Sequence, residues 1–215
     1  MLINLQELRG YSVRPDPQAL TESVRPAAQG DAAAQAAVCG AMLWASFAAP
    51  GAITQVFDLI SRSQLSLHAD PAAILAHSAA PPEEFWQQFE ATLTGPEEGY
   101  DATSITVAVA SLAAVLDDDY AALSESAALA HLGSDNAADK SVPPMISLTA
   151  LADFPYGSLA RQLLSMWVDN GFDPEVLDRD AIGLNGLSPA LRYLNTRILQ
   201  MHDTWHLVAG YKTTS

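Results

Sequence analysis

Between Ser188 and Gly210 the chain carries one uninterrupted helical pattern, and no other segment limits the fold as strongly. Leu191, Leu194, Ile198, Met201, Trp205 and Val208 recur at alternating spacings of three and four, the period of one face of an α-helix. Ser188 offers an N-cap oxygen, Pro189 suits the first helical position, and Gly210 suits the left-handed residue that ends a helix. A helix running to about Ala209 with such a stripe must bury it against something, so the chain is expected to pack helices around it.

The remaining sequence reads the same way. Pro17 to Ala49 is Ala-rich and interrupted at Gly30-Asp31, where Asp31 caps a helix that Pro50-Gly51 stops. Ile53, Val56, Phe57 and Ile60 hold helical spacing. Pro81-Pro82 opens a further segment with Glu83 and Glu84 in its first turn and Phe85, Trp86 and Phe89 behind them; Gly95-Pro96 closes it. Asp101 to Leu132 is the longest helical candidate, ended by Gly133, with Asp117-Asp118-Asp119 as a solvated acidic face. Ser158 caps a helix through Val168 that stops at Asn170-Gly171, and Asp173-Pro174-Glu175 starts a short one. The fold class predicted is all-α, a multi-helix bundle with its chemistry on a long C-terminal helix. Residues 1–132 form an Ala-rich helical part, 133–144 a linker and 145–215 the part carrying the motif.

Charge narrows the partners. With 25 acidic against 10 basic residues and a net charge of -15, a nucleic acid would be repelled, and membrane contact would have to come from apolar surface. Cys39, the single cysteine, sits among small apolar neighbours and is expected to be a buried, inert thiol. The N-terminus has no basic region followed by an apolar core, and no stretch approaches the ~20 apolar residues of a membrane span. A cytoplasmic protein is expected.

His202, Asp203 and His206 sit on the last helix, in the run His-Asp-Thr-Trp-His-Leu-Val-Ala-Gly. At about 100° per residue, His202 precedes His206 by about 40° and Asp203 lies about 60° beyond it, all beside the apolar stripe. Two neutral imidazoles one turn apart can bind one metal ion, as on the His-Glu-x-x-His helix of zinc proteases. Asp203 has a shorter reach than Glu, so it fits an additional ligand, or an orienter of a histidine, better than a general base. The competing reading is a hydrogen-bonded histidine pair that only packs a helix. Asp203 beside the pair and Gly210 closing the run favour metal: zinc first, with iron or manganese as alternatives. His68, His77 and His131 read as surface or capping residues. A further ligand is expected beyond residue 215, the sequence being cut short inside a domain.

His-Asp-x-x-His-x-x-x-Gly (His202, Asp203, His206, Gly210) resembles the signature of the coenzyme Q biosynthesis protein 4 family. Arg197 matches an arginine of that family's motif helix, and Phe-Pro-Tyr-Gly-Ser-Leu-Ala (154–160) is similar to its Pro-x-Gly-Ser-Leu-Gly stretch. Trp-Val-Asp-Asn-Gly-Phe-Asp-Pro-Glu (167–175) agrees in pattern, so the resemblance spans about residues 146–214. The family's acidic lead-in to the motif helix is replaced here by Leu-Ser-Pro-Ala-Leu, which touches capping rather than ligation. The family's motif continues with a glutamate that would lie beyond residue 215.

The resemblance implies a mostly helical, peripheral membrane protein of ubiquinone biosynthesis, cytoplasmic and on the inner face of the membrane. It implies that the chain holds a polyprenylated quinone precursor in an apolar channel and organises other ubiquinone-biosynthesis proteins, and homodimerisation is allowed for. It also implies a link to replacing the ring C1 carboxylate by a hydroxyl in an oxidative decarboxylation, a metal-dependent decarboxylase or hydroxylase activity of lyase type. The metal would polarise the substrate carboxylate and the neighbouring ring oxygen as a Lewis acid, and Arg197 would pair with an anionic group of the substrate. Two alternatives stand beside this. One is a non-catalytic lipid-binding scaffold in which any metal staples helices. The other is a His-Asp metal-dependent phosphohydrolase, which needs a further upstream histidine, where His131 lies, and a downstream aspartate.

Overall fold

The computed structural model describes residues 5–67, 73–100, 102–116, 118–172, 174, 179–180 and 182–211; among these it holds ten α-helices and no strand. They are α1 (Leu5–Tyr11), α2 (Pro17–Ala28), α3 (Ala32–Phe47), α4 (Ile53–Gln64), α5 (Glu83–Thr94), α6 (Ala102–Ala114), α7 (Asp118–Ala130), α8 (Leu148–Ala152), α9 (Leu159–Asn170) and α10 (Pro189–Ala209). The all-α fold expected from the sequence is the fold observed. No helix of the described residues is long and apolar enough to cross a membrane.

Cap chemistry sets the helix boundaries. Asp31 Oδ1 accepts from the Ala34 amide at 2.8 Å, and Ser158 and Ser188 accept from Arg161 and Leu191 at 3.3 and 3.4 Å. Gly171 and Gly210 end α9 and α10 at φ of 66° and 71°, a backbone that a side chain would strain. The short helix expected from Asp173-Pro174-Glu175 starts, apart from Pro174, on residues outside those described.

The run 101–132 is two helices, not one. Val115 and Leu116 leave the helical path and pack against an aromatic cluster. Asp118 and Asp119 then stand in the first turn of α7, where the helix dipole favours carboxylates.

The chain divides into two compact units. Unit 1 comprises Met1–Glu98 and Leu112–Ala127. In it α2 packs on α3 and α4, and Leu20, Trp44, Val56, Leu59 and Ile74 form a core around a row of buried alanines on and after α3. A second cluster joins Phe85, Trp86 and Leu112 to Phe47 and Phe89, with the Phe47 and Phe85 rings 4.9 Å apart. Cys39 is half-buried.

Unit 2 comprises Gly99–Ser111 and Ala128–Ser215. There α8 and α9 pack together, and α10 meets α9 and the 3-10 turns at Ala137–Asp139 and Leu184–Gly186. Residues 133–144, whose composition is that of a linker, hold a buried Ala137, and Gln200 Nε2 donates to the Pro144 carbonyl at 2.8 Å.

The buried face of α10 corrects the sequence reading. The residues of α10 that are buried beyond its first turn are Thr196, Gln200 and Thr204; of the apolar stripe, Leu191, Leu194 and Met201 are half-buried, whereas Ile198, Trp205 and Val208 are 51, 50 and 70% exposed. Polar groups can be buried here because they are bonded: Thr196 Oγ1 donates to the Arg192 carbonyl at 2.8 Å and Gln200 to Pro144.

Candidate functional site

His202, Asp203 and His206 occupy the last two turns of α10, on the edge between its buried and exposed faces. The two imidazole rings lie 4.5 Å apart between centroids and are tilted by 50°, so they are neighbours on one side of the helix. The ring of Tyr211 meets His206 edge-on at 5.5 Å and 80°. His202 is the more open of the candidate residues, with its side chain 60% exposed against 33% for Asp203.

Asp203 is engaged on both oxygens. Its Oδ1 accepts from His202 Nδ1 at 3.1 Å, and its Oδ2 accepts from the indole Nε1 of Trp167 at 2.7 Å. An ionised carboxylate only accepts, so Nδ1 is the protonated nitrogen of His202 whenever this bond forms to the neutral ring. Trp167 comes from α9 and is 1% exposed. Sequence reasoning missed it as a site residue. The only signal was its place in the run 167–175, and nothing there says that a tryptophan distant in sequence reaches the aspartate.

The donor chemistry fits a divalent metal in part. His202 Nε2 and the ring of His206 are imidazole donors on one helix face, the residue type that zinc, iron and manganese accept. Asp203 is placed as the carboxylate that orients a metal-binding histidine through its other ring nitrogen. Among the described residues no group of three or more His, Cys, Asp or Glu side chains is gathered as a metal cage.

Arg197 is exposed on α10, about 140° around the helix axis from His202 at ~100° per residue, so it lies on another face. His131 is exposed with Nδ1 against the Leu132 carbonyl at 3.0 Å, His77 is exposed in unit 1, and His68 lies outside the described residues. Comparison with known families, characterised proteins and solved structures gives no match, so the functional reading rests on the chain's own residues.

Proposed function

We propose that this chain is a ubiquinone-biosynthesis protein of the coenzyme Q biosynthesis protein 4 type. In this reading it binds a polyprenylated benzoquinone precursor beside a divalent metal, for the replacement of the ring C1 carboxylate by a hydroxyl. The observation that carries the reading is the His202–Asp203–His206 constellation, with its rings 4.5 Å apart, on a helix that also exposes Ile198, Trp205 and Val208. His202 and His206 would hold the metal, and Asp203 would ligate it or orient His202. When bound, the metal supplies Lewis acidity toward the substrate carboxylate and ring oxygen. The exposed part of the apolar stripe, Ile198, Trp205 and Val208, gives a prenyl tail somewhere to lie, by burial of apolar surface. It also supports the peripheral membrane contact that such a substrate requires, where Trp suits the interface. Arg197 would pair with an anionic group of the substrate or of another ubiquinone-biosynthesis protein.

The exposed stripe equally favours a second reading, a lipid-binding scaffold without turnover.

Metal content after purification, compared with a His202→Ala/His206→Ala variant, tests the proposal. Stoichiometric metal in the wild type and none in the variant supports it, and turnover of prenylated hydroxybenzoates then separates enzyme from scaffold. A metal-free wild type that also fails to take up zinc, iron or manganese sinks it.

A further inference from the structure

We infer that Trp167 is a positioning residue of this site: through Asp203 it fixes His202 in the Nδ1–H tautomer and leaves Nε2 as the nitrogen open to a metal ion. The inference deepens the metal-binding reading above and takes its functional meaning from it.

The argument begins in α9. Ser158 caps the helix, and its last turn closes on residue 167, whose carbonyl accepts from the amides of both Gly171 and Phe172. The backbone of Trp167 is therefore held at the point where α9 stops. Its side chain is fully buried, and a buried indole N–H needs an acceptor. The acceptor is Asp203 Oδ2 at 2.7 Å, a short bond to a charged partner.

That bond removes rotational freedom from the carboxylate. With Oδ2 committed to the indole, Oδ1 faces the ring of His202 and accepts from Nδ1 at 3.1 Å. A largely exposed histidine otherwise exchanges both rotamer and tautomer freely. Here the neutral ring has its proton on Nδ1 and its lone pair on Nε2, the arrangement in which a carboxylate orients a metal-binding histidine. His206 has a ring contact with Tyr211 instead of this relay, so the two imidazoles of the pair are held by different means. Asp203 on this view works from behind His202, with both oxygens already used.

The test uses nitrogen-15 NMR of the histidine side chains in the metal-free protein, with His206 as the internal comparison. Wild type is expected to have protonated Nδ1 and bare Nε2 at His202. Trp167→Phe, which keeps most of the ring volume and loses the donor, is expected to shift His202 toward the Nε2–H form. Asp203→Asn keeps an acceptor for the indole and nearly the same volume but cannot accept on both sides. It is expected to flip the tautomer too, and it keeps the inference testable if Trp167→Phe fails to fold. In zinc competition against a chromophoric chelator, each folded variant is expected to bind about tenfold more weakly than wild type. A wild-type His202 in the Nε2–H form, or a tautomer unchanged in the folded variants, overturns the inference even if zinc binds. The expected tautomers without zinc binding in wild type support the relay and overturn the metal-binding function instead.

Discussion

Gln200 Nε2 donates to the main-chain carbonyl of Pro144 at 2.8 Å, joining the middle of α10 to a segment 56 residues earlier. Arg179 Nη1 donates to the neighbouring Pro143 carbonyl at 2.7 Å, so two long side chains secure the Pro143-Pro144 pair. Proline has no N–H of its own to offer a partner, and these carbonyls are what the pair can contribute. Gln200 is 8% exposed while Pro144 is exposed and also meets Arg179 Nη2 at 3.5 Å, so Gln200→Ala removes one buried donor from a carbonyl that keeps other partners. A loss of about 0.5–1.5 kcal/mol, that of one ordinary hydrogen bond, is expected in urea unfolding. A loss within experimental error would mean that water replaces the bond.

Gly40 is a second position where one atom decides. A Cβ built there would lie 2.5 Å from the Cβ of Tyr11 and 2.7 Å from its carbonyl carbon and oxygen, so the end of α1 crosses α3 at backbone contact. Gly40→Ala would normally stabilise a helix interior by up to about 1 kcal/mol. Here the obstacle is main chain, which cannot swing aside, and overpacking of about 1–3 kcal/mol is expected to win. Thermal unfolding reads the net sign. Stabilisation would show that α1 can lift away from α3 without loss.

Tyr120 gives a pH dependence. Its hydroxyl donates to the Ser46 carbonyl at 3.1 Å, and burial pushes the phenol above its ordinary value, against a smaller opposing effect of the Ser124 hydrogen bond. The folded value lies above the unfolded one, so the phenol's contribution is complete below about pH 10 and is lost as pH rises through the raised value. Tyr120→Phe should cost about 1 kcal/mol at neutral pH and remove that part of the alkaline destabilisation. Unfolding free energies measured on both sides of pH 10 check this. Equal alkaline slopes in the two proteins would exclude Tyr120 as the titrating group.

What the sequence made legible was local. The caps at Asp31, Ser158 and Ser188 and the left-handed stops at Gly171 and Gly210 were readable because each depends on a few adjacent residues. The all-α class followed from the same signals repeated. The break after Ala114 was hidden because it goes with a packing relation, that of Val115 and Leu116 with the cluster of Phe85, Trp86 and Leu112, which no local pattern encodes. The constellation was legible as residue types on one helix, but its wiring was not. Trp167 reaches Asp203 across 36 residues, and only the placement of α9 against α10 reveals it.

Which face of α10 packs is the largest departure, and it is open to direct test. Periodicity marks an apolar stripe but says nothing of whether a partner covers it; Thr196 is 1% exposed and Ile198, two residues on, is 51% exposed. Thr196→Leu would strengthen an ordinary amphipathic reading, yet it puts a larger side chain at a buried position and removes the hydroxyl bond to the Arg192 carbonyl, and is expected to cost about 1–3 kcal/mol. Ile198→Ser removes an apolar side chain from the stripe and is expected to change stability by less than about 0.5 kcal/mol, as at other surface positions. Urea unfolding of the two variants compares them. The reverse order would mean that the stripe is covered in solution. If the proposed function holds, Ile198→Ser combined with Trp205→Ser should also weaken binding of a prenylated hydroxybenzoate while leaving metal content unchanged. At about 25 cal/mol per Å2 of apolar surface removed from water, losing two such side chains from a lipid contact should lower affinity at least tenfold. Unchanged binding would move the prenyl tail to another part of the chain and leave the stripe without that role.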